Sequence, residues 1–259
     1  MSTTEADPLV SVLAGLAVDA PPDLAARLVS GWVRVAASVG ELYVAFTDAG
    51  VSYLRTAESM RGGAAEFCES YRTTFGRPLY PAARPPAGLR TTLRTGRRSA
   101  SLRFDLRNST EFERDVLNAT LRIPAGETRP YAWLASQIGR PRAVRAVGSA
   151  LGRNPVPLLI PCHRVTRSDG RPGDYVFGAS AKERLLRAER VDLEGVRALA
   201  DSGVFYVGSD STGIVCFPTC HNAKRITPAH RRGFRSVAEA GRAGYRPCRD
   251  CRPVLAETG

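Results

Sequence analysis

In LLIPCHRVTR, residues 158–167, Cys162 ends an apolar run and stands directly before His163 and Arg164. A free thiol titrates near about 8.5, and only its thiolate is a good nucleophile, so a reactive cysteine needs a base or a nearby positive charge. His163 is the adjacent residue. On an extended strand it would point away from the thiol; a tight turn or a bridging water would bring the two together. Glu189 could then orient the imidazole as the third member of a Cys–His–acid relay. The other reading is a buried structural cysteine beside a surface histidine, and residue types alone leave both open.

A second constellation closes the chain. Cys216 and Cys220 are separated by three residues, 27 residues follow, and Cys248 and Cys251 are separated by two. Two short chelating loops of this kind suit a tetrahedral zinc ion held by four thiolates. His221 and His230 are near, but four cysteines suffice and neither histidine is placed among the ligands. Disulfides are the alternative. A module this short has a small core, so metal binding would supply much of its folding energy.

The chain around these sites has 259 residues, 43% hydrophobic, with a net charge of +12 and pI near 10.0. That length allows two domains and a small third. The basic balance points to an anionic partner, nucleic acid before membrane. Four of the six cysteines crowd into the end of the chain, unlike the spread of a secreted disulfide protein. The opening MSTTEADPLVSVLAGLAV lacks a signal peptide's basic start, and no apolar run reaches a membrane span. A cytoplasmic protein is expected, with no membrane partner and no small-molecule cofactor.

The elements that must position the two sites follow from periodicity. DLAARLVSGWVRVAASV, 23–39, reads as helix; ELYVAFTDAGVSYLRT reads as a hairpin with Gly50 supplying turn freedom; AAEFCESYRTTFG reads as helix. Cys68 on that helix reads as a packed thiol. YPAARPPAGLRTTLRTGRRSA reads as connection and SLRFDL as one more strand. From Ser109, a plausible N-cap, STEFERDVLNATLRI is an amphipathic helix. RPYAWLASQIGRPRAVRAVGSALGRN then reads as helix, Gly139 turn, helix, with Pro130 and Pro141 in first turns. Between Glu127 and Asp169 lie seven arginines (129, 140, 142, 145, 153, 164 and 167) and no acid. They suit phosphate contacts, or else pair with acids elsewhere in the fold. Ser180 and Glu183 have capping-box spacing ahead of a helix carrying Glu189, and residues 193–204 read as a partly helical linker.

IPCHRV at 160–165 resembles the active-site signature of the O6-alkylguanine-DNA alkyltransferases. EFERDVLNATLRIPAGET, RAVRAVGSALGRNPVPLLIPCHRV and GDYVFG…KERLLRAE resemble the family in order and spacing, together covering about 105–191. The resemblance implies direct reversal of DNA damage, with the base flipped out through a helix-turn-helix in the minor groove. Cys162 would be the alkyl acceptor, activated by His163 and Glu189 through water. Arg145 would fill the gap left by the base, and Tyr131 would help rotate the nucleotide. Asn154 would brace the turn carrying the site, and Val165 and Tyr175 would line the pocket. Tyr131 or a backbone N–H near Val176 would stabilise the departing oxygen. Asp174 stands where the family carries Asn or Gly. Relatives that bind without repairing carry Trp at the acceptor position; this chain keeps Cys162.

FYVGSDSTGIVCFPTC and FRSVAEAGRAGYRPCRDCRP resemble the zinc domain of Ada, covering most of 203–259. In that family the first cysteine, here Cys216, is both ligand and acceptor of a methyl group from a DNA methylphosphotriester. Residues 205–259 hold nine Lys or Arg against four Asp or Glu, and Lys224, Arg225 and Arg246 are the candidate phosphate contacts. Phe217 stands where Ada carries a basic residue, and the module follows the alkyltransferase region instead of leading it. The expected architecture is an α+β multidomain chain. It comprises a ribonuclease-H-like α/β unit (1–105), a winged-helix-like helix-turn-helix alkyltransferase domain (106–195) and a small four-cysteine zinc domain (203–259). Three functions stay in view: a repair protein with acceptors at Cys162 and Cys216, one with Cys162 alone and a structural zinc module for DNA docking, and a non-catalytic damage binder or regulator.

Overall fold

The computed structural model describes residues 29–253. The part of the expected opening helix before residue 29 lies outside the described residues. The rest of that expectation is overturned: Ser30–Ala37 is strand β1, not helix. Val33, Arg34 and Val35 alternate inward and outward, and β1 pairs antiparallel with β2 (Gly40–Thr47), in register Val33↔Val44 and Val35↔Leu42. Apolar spacing in WVRVAA fits both periods, and β-branched Val33 and Val35 with a partner strand decide for the pleat.

The hairpin forms as expected, with β3 at Gly50–Thr56, and the following helix α1 runs Gly63–Phe75. The sheet order is β3-β2-β1-β4, where β4 (Leu79–Pro81) lies parallel to β1. Successive β2 residues serve opposite faces. Tyr43 and Ala45 pack with Phe67 and Tyr71 of α1; Leu42 and Val44 face the rest of the protein. The connection read between residues 80 and 100 contains a short helix α2, Leu89–Thr95. SLRFDL makes one bridge, Val51↔Phe104, and not a strand.

Helix α3 spans Glu111–Thr120. Its cap is Thr110, one residue later than expected, in a reciprocal capping box with Glu113. Helices α4 (Tyr131–Gln137) and α5 (Val144–Gly152) flank the Gly139 turn, where φ is +71°. Pro130 is the N-cap of α4 and Pro141 lies in the turn, so neither occupies a first turn. Helix α6 is Ala179–Ala188. It starts after Gly178 with no side-chain cap, so the Ser180–Glu183 box does not form. Glu183 instead pairs with Arg187 and Arg197. Helix α7 (Leu193–Asp201) fills the linker.

The last lobe is a four-stranded sheet, β10-β8-β7-β9: β7 Tyr206–Ser209, β8 Ile214–Cys216, β9 Arg231–Phe234 and β10 Arg246–Pro247. Short helices α8 (His221–Lys224) and α9 (Val237–Arg242) connect them. A continuous apolar cluster runs from the inner face of the first sheet through α3, α4 and α5 to the four cysteines. Among the described residues no helix is long and apolar enough to cross a membrane.

Candidate active site and metal centre

Pro161 leads into a single 3-10 turn, Cys162–Arg164, held by Arg164 N–H donating to Pro161 O at 2.9 Å. The turn replaces the extended geometry that would have sent Cys162 and His163 to opposite faces. All three side chains go inward, with Cys162 6%, His163 2% and Arg164 6% exposed. The strand β6 (Val165–Thr166) follows at once and pairs in parallel with β5 (Arg129–Pro130). Leu158, just upstream, holds φ at +73°, a strained value for a branched residue.

Glu189, the C-cap of α6, receives this turn. His163 Nε2 lies 3.0 Å from Glu189 Oε1, Arg164 Nε donates to Oε2 at 2.9 Å, and Arg164 Nη2 donates to Oε1 at 2.7 Å. Gly126 N–H adds a fourth donor, at 3.2 Å from Oε2. Burial opposes the charge on Glu189, but the His163 and Arg164 hydrogen bonds outweigh it and hold the carboxyl at about 2, against an ordinary 4.5. An ionised acceptor at Nε2 places the imidazole proton there and leaves Nδ1 as the basic nitrogen. Burial keeps His163 below its usual range, against the pull of Glu189, so the ring is neutral at pH 7. Nδ1 is buried and has no protein hydrogen-bond partner among the described residues.

A pH prediction follows with its sign. A carboxyl depressed on folding contributes stability that is complete above about pH 4.5 and is lost as pH falls toward 2. Unfolding free energy is expected to drop by about 3 kcal/mol from this group across that window. Denaturant titrations at stepped pH measure the drop, and a curve flat through the window would contradict it.

Asn154 holds the thiol by a hydrogen bond, and Lys182 acts on it through its charge. Asn154 Nδ2 donates to Cys162 Sγ at 3.2 Å and to Ile160 O at 3.0 Å, while its Oδ1 accepts from Val156 N–H. Lys182 is fully buried, and its Nζ donates to Val165 O at 2.6 Å and Asp174 O at 3.3 Å. Burial raises the Cys162 thiol, and the Asn154 hydrogen bond and the Lys182 charge partly offset that. Burial likewise lowers Lys182 to about 8, with the charges of Cys162 and Asp174 opposing. Lys182 was missed at sequence level. A lysine on the apolar stripe of an amphipathic helix was the available signal.

Cys162 opens on a cavity of about 770 Å³ whose lining includes Tyr131, Arg145, Gly148, Asp174, Tyr175 and Val176. The structure thus gathers Cys162, Tyr131, Arg145 and Tyr175 around one space. Asn154 and Val165 are not among the residues that line it. Asn154 is buried as the brace just described, and Val165 is fully buried, offering only its carbonyl to Lys182. The arginine run divides. Arg129 pairs with Glu127, Arg153 with Glu113, and Arg164 with Glu189, so these three serve the fold. Arg167 approaches Asp169 at 3.8 Å. Arg140, Arg142 and Arg145 are exposed and have no ion pair among the described residues.

The four expected metal ligands converge. Cys216 ends β8, Cys220 caps α8, and Cys248 and Cys251 follow β10; all are buried, with their sulfurs within 4.8 Å of one another. A tetrahedron with metal–sulfur bonds of about 2.3 Å has edges of about 3.8 Å, so the quartet fits a metal ion. His221 lies outside it, bridging Glu127 and Asp250, and His230 pairs with Asp210. The proposed phosphate contacts Lys224, Arg225 and Arg246 are all exposed, and Lys224 Nζ also donates to Gly126 O at 2.9 Å. Phe217 is buried, packed on Tyr206 and covered by the Arg129 guanidinium at 5.3 Å.

Residues 111–191 match the family model described as 6-O-methylguanine DNA methyltransferase, DNA binding domain. A crystal structure of Mycobacterium tuberculosis OGT in complex with DNA is 30% identical, with a TM-score of 0.50; the match covers 64% of this chain and 98% of that one. The chain belongs to the methylated-DNA–protein-cysteine methyltransferase family. A methyltransferase of this family from Methanosarcina barkeri is 48% identical over 93 residues, 35% of this chain and 59% of that relative. Escherichia coli bifunctional transcriptional activator/DNA repair enzyme Ada is 48% identical over 89 residues, 34% of this chain and 25% of Ada. The chain thus spans between a quarter and three-fifths of these two curated relatives. Residues 197–254 match the metal binding domain of Ada. The match to the methyltransferase model at 111–191 is thus followed in this chain by the match to the metal binding domain of Ada at 197–254.

Proposed function

We propose that this protein repairs DNA by direct reversal, taking the alkyl group from O6 of guanine onto Cys162. The observation that carries the reading is a single one: Cys162 lies at a cavity shared with Tyr131, Arg145 and Tyr175, backed by a histidine whose tautomer an ionised carboxylate sets. The thiol proton passes to His163 Nδ1 through a water. Sγ then attacks the alkyl carbon, the carbon–sulfur bond forms, and the carbon–oxygen bond breaks with its electron pair on O6. Tyr131 or the backbone N–H of Val176 stabilises that oxygen, and the proton taken up by His163 returns through water to the base, restoring neutral guanine and a neutral ring. The thioether is stable, so one molecule repairs one lesion. Arg145, exposed on α5, fills the stack vacated by the flipped base, and its planar guanidinium can hydrogen-bond there. Arg140, Arg142, Arg225 and Arg246 contact phosphates.

The same reading assigns the domains. A β3-β2-β1-β4 sheet with α1 on one face supports a ribonuclease-H-like unit up to about residue 105, and α4, α5 and the β5–β6 pair support a winged helix-turn-helix domain over 106–195. The lobe over 203–259 takes one zinc ion on Cys216, Cys220, Cys248 and Cys251. Zinc bound there keeps its four sulfurs deprotonated and links the two chelating loops. A second reading, methyl transfer from a DNA methylphosphotriester to Cys216, is supported by the Ada match. Against it, Cys216 is 1% exposed and the residue that follows it faces the alkyltransferase domain and not solvent. The single-acceptor reading is therefore preferred.

Peptide mass spectrometry after mixing the metal-loaded protein with DNA methylated at O6 of guanine and at phosphate tests this. Methyl on Cys162 alone is the expected result, and Cys162→Ser should carry none. Methyl on both Cys162 and Cys216 would establish two acceptors. DNA binding with no transfer would leave a damage binder.

A further inference from the structure

The cysteine lobe does more than hang from the end of the chain. Its residues 219–224 grip the alkyltransferase segment 126–129 at every residue but one. Lys224 Nζ donates to Gly126 O at 2.9 Å. His221 donates its backbone N–H to Glu127 Oε1 at 3.1 Å, and its Nδ1 lies 3.0 Å from the same oxygen. Thr128 N–H donates to Thr219 Oγ1 at 2.9 Å, and Thr219 Oγ1 donates to Thr128 O at 3.1 Å. Nearby, Trp133 Nε1 donates to the carbonyl of Cys251 at 2.9 Å.

The gripped segment touches the reacting site twice. Gly126 N–H donates to Glu189 Oε2, and Arg129 and Pro130 pair with Val165 and Thr166, immediately after the catalytic turn. Gly126 has φ at +79°, and a Cβ there would meet Glu189 O at 2.8 Å. Only glycine fits that approach, so this residue transmits between Lys224 on one side and Glu189 on the other. We infer that the cysteine lobe positions the acid of the alkyltransferase site, with Lys224 a positioning residue that acts on Glu189 through Gly126. This builds on the reading of Cys162 as acceptor and adds a requirement to it: the lobe completes the site, and the His163–Glu189 geometry depends on it.

The test uses the full metal-loaded chain with Lys224→Met, Lys224→Arg and Thr219→Val. The three histidines, His163, His221 and His230, make ¹⁵N-histidine NMR tractable, and the Nε2–H of His163 reports its bond to Glu189 directly. With metal content and melting matched to wild type, Lys224→Met should shift and broaden that signal. It should also slow transfer to Cys162 at saturating DNA by about fivefold, the worth of one hydrogen bond. DNA affinity should hold. Lys224→Arg should restore signal and rate, and Thr219→Val, which loosens the segment from its other end, should act as Lys224→Met does. A wild-type signal and rate in both Lys224→Met and Thr219→Val would overturn the inference. So would a Lys224→Met loss confined to DNA affinity, which would make Lys224 a phosphate contact. If wild type transfers nothing to Cys162, the acceptor reading falls by itself, and the His163 signal still decides whether Lys224 positions Glu189.

Discussion

Replacing Glu189 by glutamine should slow alkyl transfer at least about a hundredfold and destabilise the protein by about 3 kcal/mol. The kinetic loss comes from the tautomer. As a carboxylate, Glu189 can only accept, which puts the imidazole proton on Nε2 and frees Nδ1. A glutamine amide can present N–H to Nε2 and draw the proton to Nδ1, removing the base; exchanges of this kind in Cys- or Ser-based relays cost several orders of magnitude. The stability loss has another source. The Arg164 side chain is 7% exposed, and its charge is balanced by Glu189. Its remaining partners, Ile123 O and Gly96 O, are neutral. A buried cation stripped of its counter-charge costs about 3–5 kcal/mol. Single-turnover transfer and denaturant unfolding measure the two losses separately. Cys162→Ala provides the contrast, with no transfer and a far smaller stability change. Glu189→Gln transferring at the wild-type rate would remove Glu189 from the relay.

Withdrawing metal from the cysteine quartet should unfold the lobe and be felt in the neighbouring domain. The four buried thiols lie within 4.8 Å of one another at the end of the main apolar cluster, while the lobe's own separate cluster is small, comprising Val215, Phe234 and Ala240 with Tyr206 and Tyr245 at its edge. Zinc binding to such sites supplies on the order of 10 kcal/mol of folding free energy. On chelation four thiols should become reactive to an exposed-thiol reagent. Trp133, one of two tryptophans in the chain, should red-shift in fluorescence as its bond to Cys251 O is lost. Unreactive thiols and an unchanged Trp133 spectrum in the presence of a strong chelator would show that the lobe stands without metal.

Several mistaken expectations turn on a partner residue. Residues 30–37 have apolar spacing compatible with helix and with strand, and only β2 alongside makes the strand the better choice. Ser109 and Thr110 are equivalent caps by residue type, but Glu113 is three residues from Thr110 and closes the box there. The arginine run contains no acid of its own, and its partners, Glu113, Glu127 and Glu189, all lie outside residues 128–168. In the first and third cases the deciding partner lies outside the segment; in the second it lies three residues ahead on the same helix.

The sequence by itself determined the chemistry available. A cysteine beside a histidine, four cysteines at chelating spacing and a helix–glycine–helix pattern are set by residues a few positions apart, where backbone geometry leaves little freedom. Tertiary structure decided how that chemistry is used. Which imidazole nitrogen is basic depends on Glu189, 26 residues away; Arg164 became a structural cation through that same carboxylate. Lys224 became a tie to Gly126, 98 residues distant, and Phe217 turned inward beneath Arg129. Burial and pairing change the charge, tautomer and reach of a side chain, and both are properties of which distant segments meet.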